Sequence, residues 1–186
     1  MSERFSPLLD HNLQILRSAA LAGPVLDLAC GSGRNGLHLI ANGIPTVFAD
    51  QNPEALARVS QALLRTPHSQ HKSLATLQQI DFETPNGQPL EQTHYGAILV
   101  FRYLHRPLME GIKAAVKPGG IVIYETFTLD QRQFGRPSNP DFLLRPNELR
   151  DNFDNWHIHF NYDGILIDKQ GQPQSAIAQI VASKPH

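Results

Sequence analysis

The sequence has one cysteine, Cys30, so no intrachain disulfide can staple it. No apolar run approaches the roughly 18–20 residues that cross a bilayer. Met1-Ser2-Glu3-Arg4 has no apolar stretch behind it, so no secretory signal is expected. Neither sign of charge dominates: 16 Lys and Arg against 17 Asp and Glu leave a formal net charge of −1. That balance argues against a nucleic-acid backbone as the main partner. The chain also lacks internal repeats, low-complexity tracts and a domain linker. What remains is ordinary globular composition in 186 residues, enough for one domain to bury a sizeable core unaided. A cytoplasmic protein without membrane contact is expected, and nothing in the sequence sets its oligomeric state.

Ser6-Pro7 reads as an N-cap followed by proline in the first helical turn. Leu9, Leu13, Leu16 and Ala20 recur at helical spacing, which predicts one helix over 7–21. Val25-Leu26-Asp27-Leu28-Ala29 is a short apolar run that enters a glycine turn and reads as a buried parallel strand. Helices are expected over 34–42, closed by Gly43, and after Asn52-Pro53. Strands are expected over 45–49, 76–80, 97–101 and 121–124, with a helix carrying Leu108, Ile112 and Ala115 before the last. Lys117-Pro118-Gly119-Gly120 reads as the stop between them. Such alternation marks a parallel sheet covered on both faces.

The last third differs. Positions 131–146 read as a long loop and 146–153 as a short helix. Trp156, Ile158, Phe160 and Tyr162 alternate with polar residues at period two, and 176–181 is another strand. Two strands joined without a helix predict an antiparallel hairpin at one edge of the sheet.

The sharpest feature is Asp27-Leu28-Ala29-Cys30-Gly31-Ser32-Gly33-Arg34-Asn35-Gly36, a glycine loop between a strand and a helix. Gly31-x-Gly33-x-x-Gly36 with Asp50 about 20 residues on also fits a dinucleotide fingerprint. A nicotinamide-dependent oxidoreductase is therefore a competing reading. Asp27 weighs against it. A dinucleotide pyrophosphate sits on the helix start beyond such a loop, where a carboxylate repels it. S-adenosylmethionine has no phosphate and carries an ammonium and a sulfonium, which a carboxylate attracts. The C-terminal hairpin is also foreign to an ordinary dinucleotide unit.

Val25 to Asn35 resembles the first motif of class I S-adenosylmethionine-dependent methyltransferases, and its Gly-Arg-Asn ending is similar to the tellurite-resistance-type branch. Phe48-Ala49-Asp50, Ile80-Asp81-Phe82 and Lys117-Pro118-Gly119-Gly120 resemble later motifs in the right order. The resemblance implies a Rossmann-like, doubly wound, mostly parallel seven-stranded α/β sheet with a C-terminal antiparallel hairpin. It implies one domain over 1–186: an N-terminal helix in 1–22, a cofactor core in 23–127, a substrate-side loop and short helix in 128–154, and the hairpin in 155–186.

It also implies S-adenosylmethionine as cofactor and in-line methyl transfer to a small molecule or a protein side chain. Gly31 and Gly33 would admit the cofactor closely, since no Cβ intrudes. Asp27 would face the methionine ammonium, Asp50 the ribose hydroxyls, and Asp81 the adenine amino group with Phe82 beside the ring. Arg34, at the helix start, is the candidate partner of the methionine carboxylate. Ala29, Ser32, Gln51 and Phe101 complete the expected cofactor contacts. The chain departs from the family at Gly96, where the fourth strand often begins with an acid. A non-catalytic module that keeps the cofactor pocket is a third reading.

Ligands of wound sheets bind beyond the carboxyl ends of the strands. The substrate candidates are therefore Arg102, Tyr103, His105, Arg106, Glu125 and Arg136, with 134–140 as a covering loop. His105 or Tyr103 is a candidate base, against the plainer reading of capping and loop anchoring. Methyl displacement draws much of its rate from alignment, so no obligatory base follows and no catalytic residue is assigned. Arg102, Arg106, Arg132 and Arg136 hint at an anionic acceptor. An Asn/Asp-Pro-Pro-aromatic motif is missing after strand four, which disfavours methylation of base amino groups. Cys30 reads as packing. His157 and His159 share a strand face, but without a third ligand no metal site is expected.

Overall fold

In the computed structural model, residues 5–65, 67–84 and 90–186 are described. The segment from Met1 to Arg4, read above for a signal, lies outside them. No helix among the described residues is long and apolar enough to cross a membrane.

The helix expected over 7–21 is two helices, α1 (Pro7–His11) and α2 (Leu13–Ala20). Ser6 caps α1, its Oγ accepting the Leu8 N–H at 3.3 Å. Asn12, with φ −115° and ψ 10°, breaks the run, and its Nδ2 donates to the Leu8 carbonyl at 2.7 Å. Hydrophobic spacing continues through the break, so periodicity alone did not reveal it.

Seven strands form one sheet in the order β3-β2-β1-β4-β5-β7-β6. β1 (Val25–Leu28), β2 (Thr46–Asp50), β3 (Ala75–Gln79), β4 (Tyr95–Phe101) and β5 (Val116–Phe127) run parallel. β7 (Pro173–Ser183) inserts antiparallel beside β5, and β6 (His157–Ile167) pairs on its outer side. The expected hairpin is thus present, with its second strand inside the sheet and its first at the edge.

β1 and β4 are buried along their whole length, as central parallel strands must be. Successive β4 residues serve opposite faces. Ala97, Leu99 and Phe101 meet Leu9, Leu16 and Leu39, from α1, α2 and α3 (Arg34–Ala41). Ile98 and Val100 meet Met109 and Ile112 of α5 (Met109–Ala115) and Leu149 of α6 (Glu148–Asn152). Phe48 of β2 packs between α3 and α4 (Pro53–Leu63).

The structure departs from the expected pattern in three further places. Among the described residues no helix joins β3 to β4, and Phe82 and Leu90 cover that part of the sheet instead. Lys117 to Gly120 do not separate helix from strand but bulge within β5: Tyr95 pairs with Val116, and Ala97 with Ile121. In β6 a bulge at His159 puts Ile158 opposite Ala182 and Phe160 opposite Val181. The extra residue inverts the alternation, so Phe160 crosses to the α1 face while Ile158 stays against the α5 side.

Gly96 has a packing reason. A Cβ there would lie 2.0 Å from the Ala19 carbonyl oxygen and 2.5 Å from that of Gly23. The end of α2 crosses the start of β4 backbone to backbone, so no side chain, acidic or otherwise, fits. Gly96→Ala is expected to destabilise the fold by about 3 kcal/mol through overpacking, lowering Tm by roughly 6–12 °C for a chain of this size. A melting curve unchanged from wild type would contradict this packing.

Candidate functional site

The chain leaves β1 through a sharp turn. Ala29 (φ 51°), Gly31 (φ 55°) and Gly33 (φ 72°) all take the left-handed conformation. A Cβ on Gly33 would strike Val59 Cγ2 at 2.5 Å, whereas one on Gly31 would point into open space. Gly33 is therefore required by packing, and Gly31 bares its backbone to a cavity. The Gly31 N–H donates to Asp50 Oδ2 at 2.7 Å, and the Asn52 N–H donates to Oδ1 at 2.9 Å. One carboxylate at the end of β2 thus fixes the loop and the start of α4.

Asp27 lies beneath the same loop, only 2% exposed. Its Oδ2 accepts the Gly36 N–H at 2.9 Å. Burial pushes its carboxyl up to about 7, against the opposing pull of the Gly36 N–H and the Arg34 charge.

Two cavities meet at Ala29. One, of about 310 Å³, is lined by Asp27, Ala29, Cys30, Gly31, Ser32, Arg34, Asn35, Phe101 and Arg102. The other, of about 240 Å³, is lined by Ala29, Asp50, Gln51, Ile80, Asp81, Phe82, Glu83 and Tyr103. All the residues expected around a cofactor line one lobe or the other except Gly33, which sits behind the loop. The lobes lie beyond the carboxyl ends of β1 and β4, where the strand order reverses.

Tyr103 closes the second lobe. Its hydroxyl is buried beside the Glu83 carboxylate. Burial holds its phenol above the usual range, and the nearby Glu83 carboxylate adds to that. A phenol held protonated is a poor general base. The Cys30 thiol is likewise pushed up, by burial and then by Asp27 and Asp50, which agrees with packing rather than nucleophilic attack.

On the substrate side the expected residues separate. Arg102 (φ 59°) and Glu125 form an ion pair at 3.1 Å, and the Arg102 guanidinium also stands 4.3 Å from the Phe127 ring centroid. Glu125 is buried, and its Oε2 accepts from Ser6 Oγ at 3.0 Å and Gln179 Nε2 at 2.6 Å. The Ser6 N–H donates to Asn35 Oδ1 at 3.0 Å. Arg102 and Glu125 border a third cavity, of about 610 Å³, between α1 and the β6–β7 hairpin. Ser6, Asn35 and Gln179 were missed in the sequence. Ser6 carried a signal, but only as a helix cap.

Arg106, His105 and Arg136 line none of these three cavities. Arg106 grips both Glu148 oxygens, at 2.6 and 3.0 Å, and donates to the Asp141 and Leu143 carbonyls. It clamps the segment after β5 to the end of β4, which matches the anchoring reading. Arg136 is exposed, its carbonyl accepting from Gln131 Nε2 at 3.3 Å. Of the four clustered arginines, only Arg102 reaches the cavities. His157 and His159 are exposed with rings 4.6 Å apart, and no three metal-ligating side chains converge among the described residues.

The sequence model of the tellurite resistance protein TehB matches residues 12–172. No curated protein matches the sequence. The fold is similar to that of TehB from Haemophilus influenzae, with TM-score 0.65 and 22% identity over 92% of this chain. The chain spans 61% of that protein's length. A methyltransferase described as S-adenosylmethionine-dependent, from Methanosarcina mazei, superposes with TM-score 0.69 and 15% identity over 98% of this chain and 99% of its own. The glycopeptide N-methyltransferase MtfA, solved with S-adenosylhomocysteine, gives 0.65 and 15% over 100% and 93%. The chain belongs to the tellurite resistance protein TehB family.

Proposed function

We propose that the paired lobes at Ala29 hold S-adenosylmethionine and that the protein transfers its methyl group to an acceptor in the neighbouring cavity. The observation that carries this reading is the arrangement of Asp27, Asp50 and Asp81 around two lobes that share Ala29 of the glycine loop. Bound there, the cofactor supplies an electrophilic methyl group on a sulfonium. The chain's part is to bind and align. Asp27 is the partner for the ammonium, Arg34 for the carboxylate, Asp50 for the ribose hydroxyls and Asp81 for the adenine amino group. Phe82 and Tyr103 border the same lobe. No base is assigned, because alignment of a nucleophile with a good leaving group accounts for much of the rate.

The fit of the cofactor rests on Asp27. Its carboxyl titrates near neutrality in the free protein because burial disfavours its charge. A ligand ammonium beside it favours the ionised form and drives the proton off, whereas a dinucleotide pyrophosphate draws a proton on. The two competing cofactors therefore differ in the sign of the proton linkage.

At pH 6, binding of S-adenosylhomocysteine is expected to release close to one proton. Affinity should rise with pH up to about 7 and then level off. Calorimetry in buffers of different ionisation enthalpy measures this, and proton uptake would favour the dinucleotide reading. Absence of binding by the folded protein would overturn the cofactor assignment itself.

Asp50→Asn removes an ionic acceptor that also braces Gly31, so affinity for S-adenosylhomocysteine should fall about tenfold or more. An unchanged dissociation constant would remove Asp50 from the site.

Asp27→Asn separates binding from folding. The folded carboxyl titrates near 7 and the unfolded one near 3.8, so the wild type loses stability as pH rises between those values, and the loss is constant above them. The amide avoids that cost. The variant should melt several degrees above wild type at pH 8, with the difference shrinking as pH falls toward about 4, while binding S-adenosylhomocysteine more weakly. A lower Tm at pH 8 would contradict the burial argument.

A further inference from the structure

The third cavity shares Arg34 and Arg102 with the lobe under the glycine loop. Its side walls are apolar. Pro7 and Leu8 of α1 form one, and Phe160 and Leu166 of β6 the other. Phe160 reaches it only because the bulge at His159 turns its side chain to the α1 face. Arg102, which lines both spaces, is ion-paired with Glu125, which lines the third cavity.

The two halves of that pair are unequally available. Glu125 has 5% of its side chain exposed, and Ser6, Gln179 and Arg102 already occupy its oxygens. Arg102 has 30% exposed and spends one guanidinium nitrogen on Glu125 and one face on Phe127. An arginine fork carries five N–H donors. Neutral donors hold Glu125 Oε2 independently, so Arg102 can bind a second anion without stranding the carboxylate. The group that faces an incoming molecule is therefore a cation set between apolar walls. A volume of about 610 Å³ falls in the range of small-molecule sites.

We propose that this cavity takes a small apolar acceptor bearing one anionic group, with the anion on Arg102 and the apolar body between α1 and Phe160. The proposal rests on the methyltransferase reading and narrows its acceptor. α1 is tied over the space by the Ser6 bonds to Glu125 and Asn35, which suits a molecule enclosed from both sides rather than a side chain on a large protein.

The test uses three probes of one shape: 2-naphthoate, 2-naphthamide and 2-naphthylmethylamine. Each is titrated calorimetrically into the full chain saturated with S-adenosylhomocysteine. The acid should bind about tenfold or more tightly than the amide, as a charge-assisted bidentate contact predicts. Arg102→Gln should erase that ratio. Phe160→Ala, at a position already 41% exposed, should weaken acid and amide by similar factors. Equal binding of acid and amide to the wild type overturns the proposal, and that comparison needs no variant to fold. Preference for the amine overturns it in favour of Glu125 as the recognition group, and no binding of any probe also overturns it. If S-adenosylhomocysteine binds while the acid shows no preference, only the acceptor class falls. If S-adenosylhomocysteine does not bind, the methyltransferase reading falls and the acceptor class with it.

Discussion

The hydrogen bond from the Gly31 N–H to Asp50 Oδ2, at 2.7 Å, fixes the geometry on which the rest of the site depends. Left-handed turns at Ala29, Gly31 and Gly33 bring the loop back over the end of β1. The carboxylate at the end of the adjacent strand holds it there. With the loop fixed, α3 starts directly above β1, and the N–H of its third residue, Gly36, lands on Asp27. The same turn divides the space beyond the strands into two lobes that meet at Ala29. A loop without this brace would leave Asp27 solvated and its carboxyl nearer the ordinary range.

A second buried carboxylate, Glu125, organises the other side. It gathers Ser6 from the N-terminal segment, Gln179 from the hairpin and Arg102 from the end of β4. Those three come from distant parts of the chain, and between them they frame the largest of the three cavities described. The two carboxylates differ in kind. Asp27 has one backbone donor and titrates near neutrality, while Glu125 is held by three side-chain donors.

The strand ends were readable because backbone sterics and burial act locally. Short apolar runs that stop at Gly or Asp mark the parallel strands, with Asp27 in the second half of β1, Asp50 ending β2 and Asp81 two residues beyond β3. Even so, Asp50 was read only as a ligand for ribose, and its bond to Gly31 depends on two strands lying side by side. The arginines were less readable. Of Arg102, Arg106, Arg132 and Arg136, only Arg102 lines any of the three cavities. Arg106 faces Glu148, 42 residues away, in a bidentate pair that no local pattern announces. Period-two alternation placed Phe160 with Ile158, and one extra residue in β6 set them on opposite faces.

By itself the sequence determined the alternation of strands and helices, the glycine turn after β1 and the carboxylates at strand ends. These follow from φ/ψ limits and from hydrophobic period, which act within a few residues. Tertiary structure alone decided the break at Asn12, the empty position at Gly96, the insertion of β7 beside β5, and the meeting of Ser6, Arg102, Glu125 and Gln179. Each depends on which backbone passes close to which. That is set by packing between segments far apart in the chain, and local spacing does not encode it.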